Sequence, residues 1–256
     1  MPEGDTILRA ATRLNRALAG KRVTRFETVY AHLARTNDET PLAGRIIESV
    51  HAAGKHLLID FSGGLTLRTH MRMNGSWHIY RPGERWQAPR SEMRIILATG
   101  DFVAVGFSIP IAEFLSERAV ARHPEMRALG PDILTDDFDS ADVRDRMRAR
   151  GAEEIANVLL NQRVVAGIGN IYKSESLFLA GVNPFRHVDE LTDEQLDDIL
   201  ANARKLMRAS VAATTRARRW VYERAGHMCR RCGTALEYRK QGPDARGTHW
   251  CSTCQR

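Results

Sequence analysis

The sequence predicts an α+β protein, and three observations predict it. Residues 23–105 read as short apolar runs split by turn signals. From Pro110 onward the apolar positions fall at helical spacing, and the chain's only four cysteines form two Cys-x2-Cys pairs near its end. At 256 residues the chain can hold two or three modest domains.

A helix comes first. Asp5 is a good N-cap, Ile7, Leu8, Ala11, Leu14 and Leu18 follow at helical spacing, and Gly20 is the stop. Strands are expected at residues 23–27, 46–52, 56–61, 65–70, 77–80, 93–98 and 102–105. Turn signals such as Ser62-Gly63-Gly64, Arg81-Pro82-Gly83 and Thr99-Gly100-Asp101 separate them, the spacing of a β-sandwich or barrel. Residues 111–121 read as a helix. Residues 123–139, with Leu129-Gly130-Pro131-Asp132, read as a linker, after which Ser140 caps a short helix to residue 150. Helices at 153–162 and 171–180 flank the turn Val165-Ala166-Gly167-Ile168-Gly169-Asn170, and Thr192 caps a long amphipathic helix to about residue 213. The organisation expected is therefore an N-terminal helix and β-sandwich domain over 1–122, a linker over 123–139, a helical domain over 140–222 and a finger over 223–256.

The net charge of +7 is uneven. Residues 204–256 hold thirteen Lys/Arg against three Asp/Glu, a balance of +10, so residues 1–203 sum to −3. A basic end on a near-neutral body suggests contact with a polyanion, most often nucleic acid. No apolar signal segment opens the chain and no run is long enough to cross a membrane, so a cytoplasmic, nucleoid-associated protein with no membrane partner is expected. Cys229 and Cys232 are followed, after eighteen residues, by Cys251 and Cys254, a zinc-ribbon spacing. Four thiolates fill a tetrahedral site, so one Zn2+ is expected, with a structural role. His227 and His249 are spare candidates beside a metal already satisfied. Zinc substitutes here for a hydrophobic core that so short a segment cannot build.

The start Met1-Pro2-Glu3-Gly4 carries chemistry if Met1 is removed. An N-terminal proline is a secondary amine, and an α-amino group titrates near roughly 7.7 to 8.0, so a useful fraction is neutral at physiological pH. Such an amine can attack carbon at the aldehyde oxidation level and form an iminium. Glu3 stands next to it as proton donor or acceptor, and the adjacent helix N-terminus disfavours the protonated amine and favours phosphate. Many chains begin Met-Pro, so the pair alone identifies nothing. Lys55 lies in the turn Gly54-Lys55-His56, and His70-Met71-Arg72-Met73-Asn74-Gly75 is a strand-end loop in which Met73, with Arg72 and Asn74, is a candidate wedge for a base stack. The Gly-x-Gly turn before Asn170 can bring bare backbone N–H groups against a phosphate, and the same glycines serve equally for close helix packing.

Taken jointly, Pro2-Glu3, Lys55, the Gly-Ile-Gly-Asn turn and a four-cysteine finger carrying Arg246 resemble the bacterial formamidopyrimidine-DNA glycosylase and endonuclease VIII family over the whole chain. The resemblance implies an N-terminal helix and β-sandwich domain, a helix-two-turn-helix domain and a zinc finger, with damaged duplex DNA bound in the cleft between the halves. It implies base excision, removing a damaged base and then nicking the strand by β,δ-elimination; separately, a lone chain with no evident dimer surface suggests a monomer. By the same resemblance, Pro2 is the Schiff-base nucleophile at the sugar C1′ and Glu3 the acid that assists ring opening. Lys55 contacts phosphate and assists elimination, Asn170 grips the backbone, and Arg246 is linked to δ-elimination. Arg72 and Arg127 fall at further DNA-contacting positions.

Gly4 resembles the endonuclease VIII branch, which acts chiefly on oxidised pyrimidines. The purine branch's Asp-Pro-Arg-Arg-Phe loop is absent, the region reading Val105-Gly106-Phe107-Ser108-Ile109-Pro110. The Gln-Leu-Tyr wedge of the best-known endonuclease VIII enzymes is replaced by Arg72-Met73-Asn74. An oxidised-pyrimidine glycosylase and lyase is therefore the expectation. The alternatives are a glycosylase for 8-oxoguanine or formamidopyrimidine and a non-catalytic DNA-binding damage sensor.

Overall fold

In a computed structural model of the chain, which describes residues 2–213, 215 and 218–256, the polypeptide divides into two compact units, Met1–Arg127 and Ala128–Arg256. The first opens with helix α1 (Gly4–Leu18), which buries the stripe Ile7, Ala11, Leu14 and Leu18. Its cap is Glu3 and not Asp5. The Glu3 carbonyl accepts from the N–H groups of Thr6 and Ile7 at 2.9 and 3.0 Å, and Asp5 is buried within the first turn. Starting a residue or two earlier puts an acidic side chain among the unpaired N–H groups, where negative charge is stabilised.

Strand β1 (Arg25–Thr28) leads to helix α2 (Ala31–Glu39), then β2 (Ile47–Ala53), β3 (His56–Phe61), β4 (Leu65–His70), β5 (Ser76–Tyr80), β6 (Met93–Ala98), β7 (Val103–Phe107) and β8 (Ile111–Ser116). They form two antiparallel four-stranded sheets, ordered β1-β6-β7-β5 and β2-β3-β4-β8. One core unites them with α1: Ile47, Leu57, Ile59 and Leu67 from one sheet meet Trp77, Ile95, Leu97 and Ala104 from the other. Alternation along β6 sends Ile96 and Ala98 to the opposite face, where Tyr80, Phe107 and Trp86 cover them. The sandwich expected from the turn spacing is present.

One further reading of this unit is corrected, and one helix is additional to those expected. Residues 111–121 are not one helix: they form β8 followed by α3 (Glu117–Arg122), because β8 completes the edge of β4 in register from Leu65↔Ser116 to His70↔Ile111. A period of two is visible in hindsight, Ala112 and Phe114 facing the core. Helix α2 had no expectation, since Ala31–Glu39 buries only Leu33 and is rich in Thr, Asn and Asp. The short helix α4 (Pro124–Arg127) ends this unit.

The second unit contains α5 (Ser140–Arg148), α6 (Ile155–Leu160), α7 (Asn170–Ala180), α8 (Asp193–Ala212) and the antiparallel hairpin β9 (Glu237–Gln241) and β10 (Arg246–Trp250). Asp139, not Ser140, caps α5, its Oδ1 accepting from the Ala141 N–H at 2.8 Å. Thr192 caps α8 as expected, in a capping box closed by Gln195. Among the described residues no helix is long and apolar enough to cross a membrane.

One glycine shapes the loop after β4. A Cβ on Gly75 would stand 2.5 Å from the Met71 carbonyl oxygen and 2.8 Å from its Cα, both backbone atoms. Gly75→Ala is therefore expected to cost about 1–3 kcal/mol, the scale of overpacking, measured by urea unfolding against wild type.

Candidate nucleic-acid interface

Strand register gathers three turns at one end of the sandwich. His56, the first residue of β3, pairs with His70, the last of β4, and His70 pairs with Ile111, the first of β8. In the other sheet Ser76, the first of β5, pairs with Phe107, the last of β7. The Gly54-Lys55 turn, the 71–75 loop and the 108–110 loop consequently share one end. The first turn of α1 joins them, since Thr6 and Arg9 line a cavity of about 340 Å³ together with Met71, Gly75 and Ser76.

Pro2 is half-buried and immediately precedes the cap of α1, while Glu3 is fully buried. The positive end of α1 supplies stabilisation to a carboxylate held out of water there. Lys55 is half-buried, beside Gly54 in the left-handed region at φ +57°. His56 and His70 meet edge to face at 4.9 Å. Behind them the buried Arg68 is gripped by Glu113 and Glu125, and His123 Nε2 lies 3.2 Å from Glu113. Burial, with Arg68 next in weight, pushes His56 down to about 3; burial, then Arg72, pushes His70 down to about 4. Both rings are neutral at neutral pH. The Arg72 N–H donates to His70 Nδ1 at 3.1 Å, which leaves the ring proton on Nε2.

Arg72 itself has φ +50°, a conformation that few residues other than glycine adopt, and Ser108 on the neighbouring loop has φ +49°. Such strain concentrates at functional turns. The two loops flank a groove lined by Arg72, Met73, Asn74, Arg94, Ser108 and Pro110. The two methionines of the loop have opposite fates: Met71 is 1% exposed and belongs to the core, whereas Met73 is 58% exposed. Phe107 at the end of β7 and Ile109 on the facing loop are buried, so Met73 is the large apolar side chain presented here. Arg127 is exposed at the end of α4, two residues from Glu125.

In the second unit Gly169 caps α7 and Asn170 is its first residue, buried, with Nδ2 donating to the Gly247 carbonyl at 2.6 Å. Gly167 has φ +98°, and Gln162 braces the turn, its Oε1 accepting from the Gly167 N–H at 3.0 Å. Arg246 opens β10, exposed, with its Nε 3.9 Å from Asp244. The structure thus brings Lys55, Arg72 and Met73 to one end of the sandwich and sets Asn170 beside the strand of Arg246. Ligand atoms of Cys229, Cys232, Cys251 and Cys254 lie within 4.8 Å of one another, with Cys232 and Cys251 Sγ 3.5 Å apart and Cys229 and Cys254 Sγ 4.0 Å apart. A tetrahedral ion with metal–sulfur bonds of about 2.3 Å needs sulfurs about 3.8 Å apart, so the cluster can hold a metal ion.

His56, His70 and Lys173 had not been singled out by the sequence. The first two become neighbours only through the β3–β4 register, and Lys173 gave no signal beyond standing one turn after Asn170. The histidines make acid a test of this end of the fold. They ionise near roughly 6.5 in an unfolded chain but only at about 3 and about 4 when folded. Their contribution is whole above pH ~6.5 and is lost as pH falls toward 3. The thermal midpoint is expected to fall through that window, and to fall less steeply in His56→Gln.

Comparison with known proteins agrees with this geometry. The model of the formamidopyrimidine-DNA glycosylase N-terminal domain matches residues 1–108, and that of the formamidopyrimidine-DNA glycosylase H2TH domain matches residues 129–219. A probable endonuclease 8 2 of Streptomyces coelicolor is 41% identical, covering 100% of this chain and 94% of its own. Endonuclease 8 of Escherichia coli is 31% identical with 100% of both chains covered. The Lactococcus lactis formamidopyrimidine-DNA glycosylase bound to DNA containing an abasic site has a TM-score of 0.86 at 23% identity, again over 100% of both chains, which establishes the fold. With matching domain models, full-length relatives and a shared fold, the chain belongs to the formamidopyrimidine-DNA glycosylase and endonuclease VIII family.

Proposed function

We propose that the chain is a bifunctional DNA glycosylase and abasic-site lyase of base excision repair that removes oxidised pyrimidines from duplex DNA through a Schiff base on Pro2. The observation that carries the reading is the Pro2-Glu3 pair at the positive end of α1, with a fully buried Glu3 carboxyl and, one turn on, a cavity shared with the strand-end loop. Support for the lyase activity comes from a 36% identical relative of Mycolicibacterium smegmatis, named a DNA-(apurinic or apyrimidinic site) lyase, which matches this chain along its whole length.

A base stacked in a duplex hides its sugar C1′, so the nucleotide must be flipped out, at a cost of a few kcal/mol that a lesion reduces. Met73 is the wedge that fills the gap, with Arg72 and Asn74 at its sides; its exposure supports this. The neutral Pro2 nitrogen then attacks C1′. The C1′–N bond to the base breaks and the base leaves as its anion, which takes a proton from water, while the Glu3 carboxylate accepts the proton that the Pro2 nitrogen sheds and passes it to the ring oxygen as the C1′–O4′ bond opens. The resulting iminium acidifies C2′–H. Loss of that proton breaks the bond from C3′ to the 3′ phosphate, with Lys55 beside the phosphate to stabilise the departing charge. A second elimination, assisted by Arg246, releases the 5′ phosphate and leaves a one-nucleotide gap; water returns Pro2 as the free amine. Asn170, Arg72 and Arg127 hold the DNA backbone.

Cys229, Cys232, Cys251 and Cys254 bind Zn2+. Its chemistry when bound is structural, because four thiolates leave no open coordination position. The protein acts as a monomer, with the sandwich over residues 1–122, a linker over 123–139, the helix-two-turn-helix domain over 140–222 and the finger over 223–256.

Two measurements test the reading. Nicking of an abasic duplex by Pro2→Gly is expected to fall on the order of a thousandfold or more, the scale of losing a nucleophile; full-rate nicking removes the assignment. The wild-type protein is expected to cut thymine glycol duplexes in preference to 8-oxoguanine duplexes, and the reverse order overturns the pyrimidine assignment.

A further inference from the structure

Lys173 is 1% exposed, in the first turn of α7. A lysine held out of water is costly, and an apolar side chain of its length would fill the same space more cheaply, so the partners of its ammonium matter. Its Nζ donates to the Gly247 carbonyl at 3.2 Å and to Thr248 Oγ1 at 2.8 Å. Asn170 stands three residues earlier on the same helix face and donates to that same Gly247 carbonyl at 2.6 Å. Two side chains of α7 thus converge on one peptide oxygen of β10, in the residue directly after Arg246.

The residue across the hairpin is pinned as well. Thr248 Oγ1 donates onward to Gln241 Oε1 at 2.7 Å, and Gln241 is the register partner of Arg246. The Gln241 amide donates in turn to Glu154 Oε2 at 2.7 Å and to the Pro184 carbonyl at 3.0 Å. A Cβ on Gly247 would lie 2.6 Å from the Tyr238 ring, so that ring would have to move to admit one. The residue after Arg246 is therefore tied by its backbone to α7, and the residue across from Arg246 is held by its side chain to Glu154, the cap of α6.

We propose that Lys173 is a positioning residue: together with Asn170 it fixes β10 against the start of α7 and so sets where Arg246 meets the DNA. The inference rests on the reading of Arg246 as the group that assists the second elimination. Addition of Pro2 to C1′ and the first elimination do not use Arg246. Loss of the lysine acts, then, on how the products partition and not on formation of the Schiff base.

The test is single-turnover cleavage of an abasic duplex by the zinc-loaded full chain, read as the ratio of δ to β product. Wild type is compared with Lys173→Met, Thr248→Val, Arg246→Gln and the Lys173→Met/Arg246→Gln double variant, with borohydride trapping and zinc content measured on each. The ratio is expected to fall on the order of tenfold to a hundredfold in Lys173→Met, the scale on which misplacement by about an ångström acts. It falls in the same direction in Thr248→Val. Lys173→Met adds nothing once Arg246 is gone, as expected for residues acting as one unit, and trapping and zinc are retained. A wild-type ratio in Lys173→Met alongside a reduced one in Arg246→Gln overturns the positioning role and leaves that of Arg246 standing. A wild-type ratio in Arg246→Gln removes both. Ratio and trapping falling together in a folded, zinc-loaded Lys173→Met also overturns it. If Lys173→Met does not fold, Thr248→Val decides by the same ratio, a wild-type value counting against the inference.

Discussion

The register of β3 against β4 is the constraint on which the first unit's functional end depends. Pairing of His56 with His70 aligns the Lys55 turn with the Arg72–Asn74 loop, and a slip of one residue would send every side chain of the strand to the other face. Phe61, Leu57, Ile59 and Leu67 make such a slip prohibitive by burying one face completely. At the same end, burial holds two histidines neutral next to Arg68, whose guanidinium is neutralised by Glu113 and Glu125 from β8 and α4. Positive charge at this end is therefore carried by the half-buried Lys55 and the exposed Arg72 and not by the histidines.

The second unit solves a different problem. Its finger is too small for a core of its own, and an apolar cluster of Phe178, Val221, Leu236, Cys229 and Cys251 is shared with α7. What fixes the hairpin is polar: donors and acceptors connect at each step from the buried Lys173, Thr248 and Gln241 to the half-buried Glu154. Networks of this kind are worth having only when satisfied throughout, and they then specify one geometry more sharply than apolar contact does. Glu175 extends the same logic, accepting from the N–H groups of Trp220, Val221 and Tyr222 at 2.8 to 2.9 Å and fixing the entry to the finger.

Legibility in the sequence followed the range of the interaction. The four cysteines were readable because ligand spacing is a local property, and their sulfurs do converge. Five strands, 47–53, 56–61, 65–70, 76–80 and 93–98, sat within a residue of expectation because glycine turns bound them. Strand β8 was misread as helix, since Ile111-Ala112-Glu113-Phe114-Leu115 carries no breaker and only the open edge of β4 decides its conformation. Asp5 was taken for the cap because its type suits one, whereas the chain's entry into α1 selected Glu3. Lys173 looked like any solvated helix lysine; its acceptors arrive from residues 74 and 75 positions further on, which no local pattern reports.

In the proposed mechanism the reacting atom is the nitrogen of Pro2, freed by removal of Met1. The most direct measurement is to reduce the complex of the processed protein and an abasic duplex with borohydride, digest it, and locate the modified residue by mass spectrometry. The sugar-derived mass is expected on the Pro2 nitrogen. The same mass on a lysine such as Lys55, or no adduct while the duplex remains bound, would contradict it.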